Sequence, residues 1–281
     1  MIHQSDSYFR ALQLKAKSQV HTLLSGNNFS NIHGEGYDFS ELREYRVGDD
    51  IRKINWTITA KMGKPYVKEF HANRELSVGV IALLTPSLYF GFKDNKRLKL
   101  NTLTNIAMVL GYATLYNSDL FRGVSYCDES AYVTPPTKQL YTLNQFFKNI
   151  YDAPLLGTHL DYRQLSKDIF TKFHRPSLLF ILGDFLEEID ISLLAQKHEV
   201  VVIFVRHRDE ENPKRLGEVT LQDPSSMRQL ETFFGIKSLQ NYSARLKESD
   251  RRLKEHFSSY GIRYITIYTD EEIVSKLIRL F

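Results

Sequence analysis

Residues Val78–Leu84 read VGVIALL, and residues Ser177–Leu182 read SLLFIL. Each is a short, unbroken apolar run. A strand with one face in water would alternate, so these two predict strands covered on both faces. Helical spacing fills the sequence between and after them. Leu103, Ile106, Ala107, Leu110 and Ala113 recur at threes and fours, and residues 139–151 and 161–173 also suggest helices. Gly123–Cys127 and Val200–Val205 are further strand candidates, with a helix expected over Leu186–Gln196. A long helix over 239–259 stops at Gly261, followed by a strand at Arg263–Tyr268 and a helix at Glu271–Leu280. Strand and helix alternate, which predicts parallel strands joined by helical crossovers: an α/β, doubly wound, three-layer sheet with the two quoted runs at its centre.

Towards the N-terminus, Phe9, Leu12, Ala16, Val20 and Leu23 form one apolar stripe, predicting a helix over residues 6–24. Gly26, Asn27 and Asn28 end it. Residues 34–75 keep no helical period and read as irregular structure with short strands. The expected division is therefore 1–76, a helix with a small β-rich extension, and 77–281, the α/β domain. The 281 residues are 42% hydrophobic and 25% charged, which excludes wholesale disorder. No apolar run approaches the ~18 residues of a membrane span. The first twelve residues lack an apolar signal core. One cysteine, Cys127, cannot form an intrachain disulfide and fits a reducing compartment, so a cytoplasmic location is expected. A net charge of +4 is too small to argue for nucleic acid, and no nucleic-acid partner is expected.

In an open doubly wound sheet, ligands bind beyond the carboxyl ends of the strands. Three loops occupy such positions: Leu83–Gly91, Gly157–Asp161 and Gly183–Phe185. Their hydroxyls and carboxylate could converge, and such oxygens suit a hard cation such as Mg²⁺.

The segment Gly34–Phe70 reads GEGYDFSELREYRVGDDIRKINWTITAKMGKPYVKEF. With Asp119–Val124 (DLFRGV), Gly157-Thr158 and Gly183-Asp184 downstream, it resembles the bacterial domain-of-unknown-function 58 family, whose members carry a von Willebrand factor A-like domain. The resemblance implies a mostly parallel sheet of that type. It marks Asp38, Arg43, Tyr45, Asp49, Asp50, Arg52 and Trp56 as signature residues; because aromatics are usually buried, Trp56 is expected to be a packing anchor, with a binding anchor as the alternative. It also implies a metal-ion-dependent adhesion site, whose first loop reads Asp-x-Ser-x-Ser in the family. The matching positions here are Leu83, Thr85 and Ser87, with Thr158 and Asp184 completing the set. One of two carboxylates is replaced by leucine, so the site is degenerate. Low Mg²⁺ occupancy is expected at Thr85, Ser87, Thr158 and Asp184, and no cofactor is expected. The plainer reading gives Thr85, Ser87 and Thr158 a role in capping helices or turns.

The resemblance further implies partners: a MoxR-type AAA+ ATPase and an unnamed client protein, with a position peripheral to membrane assemblies left open. The expected function is a non-enzymatic protein-interaction adaptor. A Mg²⁺-dependent ligand-binding module is the alternative. A Ser87–His159–Asp184 hydrolase is a distant third, because Ser87 sits in Thr-Pro-Ser-Leu and not in a Gly-x-Ser-x-Gly elbow. Paired zinc-ligand spacings and a glycine-rich phosphate loop are both missing. Arg206, Arg208, Lys214 and Arg215, offset by Asp209, Glu210 and Glu211, read as a solvated surface.

Overall fold

The computed structural model describes residues 9, 11, 13–20, 39–70, 75–90, 92–93 and 96–279. Leu12, Leu23, the Gly26–Asn28 stop, Asp38 and Leu280 lie outside the described residues.

The chain forms two compact units, residues 22–75 and the remainder. In the smaller one, β1 (Phe39–Glu44) and β2 (Tyr66–Phe70) pair antiparallel, and between them lie a 3-10 turn (Ile51–Lys53) and a short helix, residues Trp56–Met62. Asn55 caps that helix by accepting from the Ile58 N–H, and Gly63 ends it at φ 71°, a left-handed conformation that glycine adopts without strain.

In the larger unit, helical residues 13–20 are α1, so the helix just described is α2. Six strands make the central sheet: β3 (Ser77–Leu84), β6 (Leu120–Cys127), β7 (Ser130–Val133), β8 (Leu178–Gly183), β9 (Glu199–Arg206) and β12 (Arg263–Tyr268). The spatial order is β12-β9-β8-β3-β6-β7. Every pairing is parallel except β6 with the short edge strand β7. Two small antiparallel pairs stand apart: β4 (Phe92–Lys93) with β5 (Lys96–Arg97), and β10 (Gly217–Gln222) with β11 (Gln229–Phe234). The helices are α3 (Leu98–Tyr116), α4 (Leu140–Tyr151), α5 (Leu165–Lys172), α6 (Ser192–Ala195), α7 (Arg208–Glu211), α8 (Ile236–Ser259) and α9 (Ile273–Ile278).

β3 and β8 are neighbours at the centre of the sheet, as their apolar runs require. Alternation along β3 sends Ile81 and Leu83 into a core shared with Leu165 and Ile169 of α5, Leu194 of α6, and Leu253 and Phe257 of α8. Val80, Ala82 and Leu84 face the opposite layer, where α3 lies against the sheet. α3 is buried nearly all round, so it shows no polar stripe.

Three expectations change. The first helix belongs with the α/β unit and not with the extension: Ala16 and Val20 are buried, the Phe9 ring meets Tyr151, and Gln13 donates to Asn144. The helix expected at 186–196 shrinks to Ser192–Ala195, because Ile189 and Ile191 are buried from irregular backbone. The β10–β11 hairpin was not predicted; GEVTLQ alternates polar and apolar over only five residues, and its partner QLETFF does not alternate cleanly.

Candidate functional site at the carboxyl ends of the sheet

Thr85 directly follows β3, Asp184 directly follows β8, and Arg206 is the last residue of β9. Thr85 precedes a 3-10 turn (Pro86–Tyr89), yet its hydroxyl makes no capping bond. It donates instead to Asp184 Oδ1 at 3.1 Å, and Ser87 Oγ donates to Asp184 Oδ2. The two hydroxyls lie 3.0 Å apart. The capping reading therefore fails for Thr85 and Ser87, because Asp184 is buried and needs donors. It holds for Thr158, whose hydroxyl donates to the Leu155 carbonyl at 2.6 Å, inside its own turn.

Lys99, on the first turn of α3, completes the cluster. It is fully buried, and Nζ donates to Asp184 Oδ2 at 2.9 Å and to Glu210 Oε1 of α7 at 2.8 Å. The solvated-surface reading of the Arg206–Glu211 stretch is thereby corrected for two residues. Glu210 is 4% exposed, and Arg206 is fully buried, with Nη2 donating to Asp250 Oδ1 of α8 at 2.6 Å. Its side chain reaches a carboxylate because β9 points it inward where the strand ends. Asp184 is followed by Phe185, a non-glycine residue at φ 48°, packed against Phe204 and Phe257.

Burial alone would push the Asp184 carboxyl up. The Lys99 charge, the hydrogen bonds from Ser87 and Lys99, and the Arg206 charge outweigh it and hold the group below its ordinary value. A carboxyl whose folded-state value is depressed contributes stability that is complete above its unfolded value and is lost as pH falls through the folded one. The stability difference between the natural chain and Asp184→Asn is therefore expected to be full above the ordinary 3.8 and to shrink below it. Urea melts across that range check this, and a difference that grows on acidification would contradict it.

The arrangement does not match the donor set of a divalent-cation site. Both Asp184 oxygens are taken by three donors, one of them an ammonium. Thr158 is turned to its own loop. Leu83, 1% exposed, is sealed in the apolar core. Among the described residues no group of three His, Cys, Asp or Glu side chains could hold a metal ion. His159 is exposed, its backbone N–H donating to Asp128, while the Ser87 hydroxyl donates to a carboxylate.

In the smaller unit the signature residues organise backbone. Arg43 grips Asp49 through two bonds of 2.7 and 2.8 Å, and Asp49 also accepts from the Arg46 N–H. These bonds, that from Arg43 first, bring the Asp49 carboxyl down to about 2. Asp50 accepts from the Arg52 N–H, and Arg52 itself is exposed. Tyr45 is half-buried, its N–H donating to the Pro65 carbonyl. Trp56 is 65% exposed, which overturns the buried-anchor expectation. It opens α2, a seven-residue helix with no buried residue. Trp56→Ala is accordingly expected to change unfolding free energy by no more than about 0.5 kcal/mol. A loss of several kcal/mol in a thermal melt would return the ring to the core.

Sheet order, crossovers and the loop cluster define an α/β domain with a polar cluster beyond its strand ends whose members bond one another. Residues 41–251 match the family described as Protein of unknown function DUF58, and the chain belongs to that family. Its fold is the mostly parallel, doubly wound α/β sheet that the resemblance implied. Uncharacterized proteins of Mycobacterium bovis and Mycobacterium tuberculosis are each 28% identical over 228 residues, covering 77% of this chain and 70% of theirs. Among solved structures, the conserved hypothetical protein BatB from Bacteroides thetaiotaomicron aligns with a TM-score of 0.42 at 9% identity, over 73% of this chain and 98% of that one. The SpRpn10 VWA domain aligns with a TM-score of 0.37 at 9% identity, over 74% and 95%.

Proposed function

We propose that this protein is a non-enzymatic interaction adaptor that works with a MoxR-type AAA+ ATPase in the assembly or activation of client proteins, and that its contacts need no bound metal. The cytoplasm is the proposed compartment. None of the described helices is long and apolar enough to cross a membrane.

The observation that carries an interaction role is the β10–β11 hairpin, inserted between β9 and α8. Leu221 and Leu230 sit directly opposite each other across it, 38% and 63% exposed, and Phe233 is 66% exposed. An apolar cross-strand pair left in water gains free energy when a partner covers it. The polar cluster at the strand ends offers the opposite: its hydroxyls, carboxylates and ammonium bond one another, which supports a binding surface over a reacting centre.

Binding of the purified chain to a purified MoxR-type ATPase from the same organism tests the proposal. Binding is expected with and without added EDTA. Leu230→Glu is expected to weaken it about tenfold or more while leaving the melting temperature unchanged. No binding in any nucleotide state would overturn the ATPase assignment, and binding abolished by EDTA would favour the metal-dependent module.

A further inference from the structure

We propose that the Lys99 ammonium is a covalently attached substitute for the divalent cation of this fold's adhesion site, and that it excludes metal from the cluster. Leu83 explains only why a carboxylate is missing. Lys99 and Glu210 show what has taken its place. Lys99 brings one positive charge to Asp184 Oδ2, and Glu210, on α7 just after β9, supplies a second carboxylate to the same nitrogen. The three buried groups link the start of α3 to the ends of β8 and β9, and Thr85 and Ser87 tie in the end of β3 through Asp184. A cation seated between loops from separate strands would make the same linkage.

The chemistry differs in two respects. An ammonium donates directional hydrogen bonds and asks for no octahedral shell, so two carboxylate oxygens suffice where Mg²⁺ would need more. A second cation cannot enter while the first remains, because it would meet Lys99 at hydrogen-bond distance from both carboxylates of the cluster. Glu210 Oε2 is buried without a hydrogen-bond partner, so removing the lysine would leave two carboxylates and an unsatisfied oxygen facing the vacated volume. The same geometry means that a carboxylate at position 83 would not by itself suffice for metal binding. Side chains at that position enter the apolar layer. Leu83→Asp alone is therefore not expected to create metal affinity.

The inference rests on the cluster alone, whatever partner the protein has, because its test reads metal binding and not partner binding. Mn²⁺ is titrated into the natural chain, Lys99→Ala and Lys99→Ala/Asp184→Asn, with calorimetry and thermal melts as readouts. The natural chain is expected to show neither saturable heat nor a melting shift. Lys99→Ala is expected to melt lower and to regain about 5–10 °C at a hundredfold excess of Mn²⁺ over its Kd, a gain lost in the double variant. Stoichiometric Mn²⁺ binding by the natural chain, or a Lys99→Ala chain that folds and ignores Mn²⁺, would overturn the proposal. Should Lys99→Ala not fold, ¹⁵N NMR of the natural chain decides. One lysine ammonium protected from solvent exchange and unchanged by Mn²⁺ supports the assignment, and its absence overturns it.

Discussion

Lys99→Met is expected to cost about 3–5 kcal/mol of unfolding free energy, a fall in melting temperature of roughly 6–20 °C. The cost does not measure the strength of the ion pairs. Taking two carboxylates and an ammonium out of water is itself expensive, and their attraction repays it only while all three are present. Removing the lysine leaves Asp184, 1% exposed, and Glu210, 4% exposed, as like charges with no cation between them. The distinguishing control is the triple variant Lys99→Met/Asp184→Asn/Glu210→Gln. It removes the charges together and should recover a large part of the loss. If Lys99→Met alone costs under about 1 kcal/mol, the lysine is not buried between the carboxylates as described. If the triple variant is less stable than the single one, the carboxylates stabilise the fold by some route other than Lys99.

Phe146→Ala should cost a similar amount, about 3–5 kcal/mol, for a wholly different reason. The ring, fully buried on α4, meets Phe121 at a centroid distance of 5.7 Å and Phe147 at 5.9 Å. It also lies flat on Gly123 of β6, where a Cβ would come within 2.7 Å of Phe146 Cγ. That approach explains the glycine in the DLFRGV stretch: α4 can sit this close to the sheet only where the strand has no side chain. Gly123→Val is accordingly expected to be destabilising by overpacking, by about 1–3 kcal/mol. Denaturant melts of the two single variants and the pair check this. The two losses should not add, because the cavity left by Phe146→Ala accommodates the valine.

The sheet was legible because its signal is simple. VGVIALL and, after its first serine, SLLFIL have no polar residue on either face, and only a central position covers both. The signature segment was legible as a string, but its residues do work that composition does not reveal: Arg43 and Asp49 close a turn on each other. Trp56 was misread because large aromatics are usually buried, and that preference does not tell which face of a short helix a given ring takes. Thr85, Ser87 and Asp184 could be named from the loops that follow strands. Lys99 and Glu210 could not. Lys99 stands in KDNKRLKL, where four cations within a few residues suggest solvent, and Glu210 is the middle of three consecutive acids flanked by basic residues. The one usable hint was Lys99 lying next to Leu98 and Leu100, at the start of a helix apolar on every side. A lysine there either snorkels to solvent or finds carboxylates, and only the tertiary arrangement decides between these outcomes.

The position of α1 in the chain has a consequence for the order of events during synthesis. Its docking partners on α3 and α4 come much later, with Gln13 and Asn144 separated by 131 residues. The whole 22–75 unit is made in between. At ~5–20 residues per second, a ribosome needs on the order of ten seconds to cover that distance. For all of that time the apolar stripe of Phe9, Ala16 and Val20 has no surface to settle on. Closing so long a loop raises the contact order of the domain and slows its last step, while the stripe is available to chaperones and to neighbouring nascent chains. A circular permutant that moves α1 behind α9 with a linker long enough to reach should, if this is so, fold without the delay and aggregate less during expression.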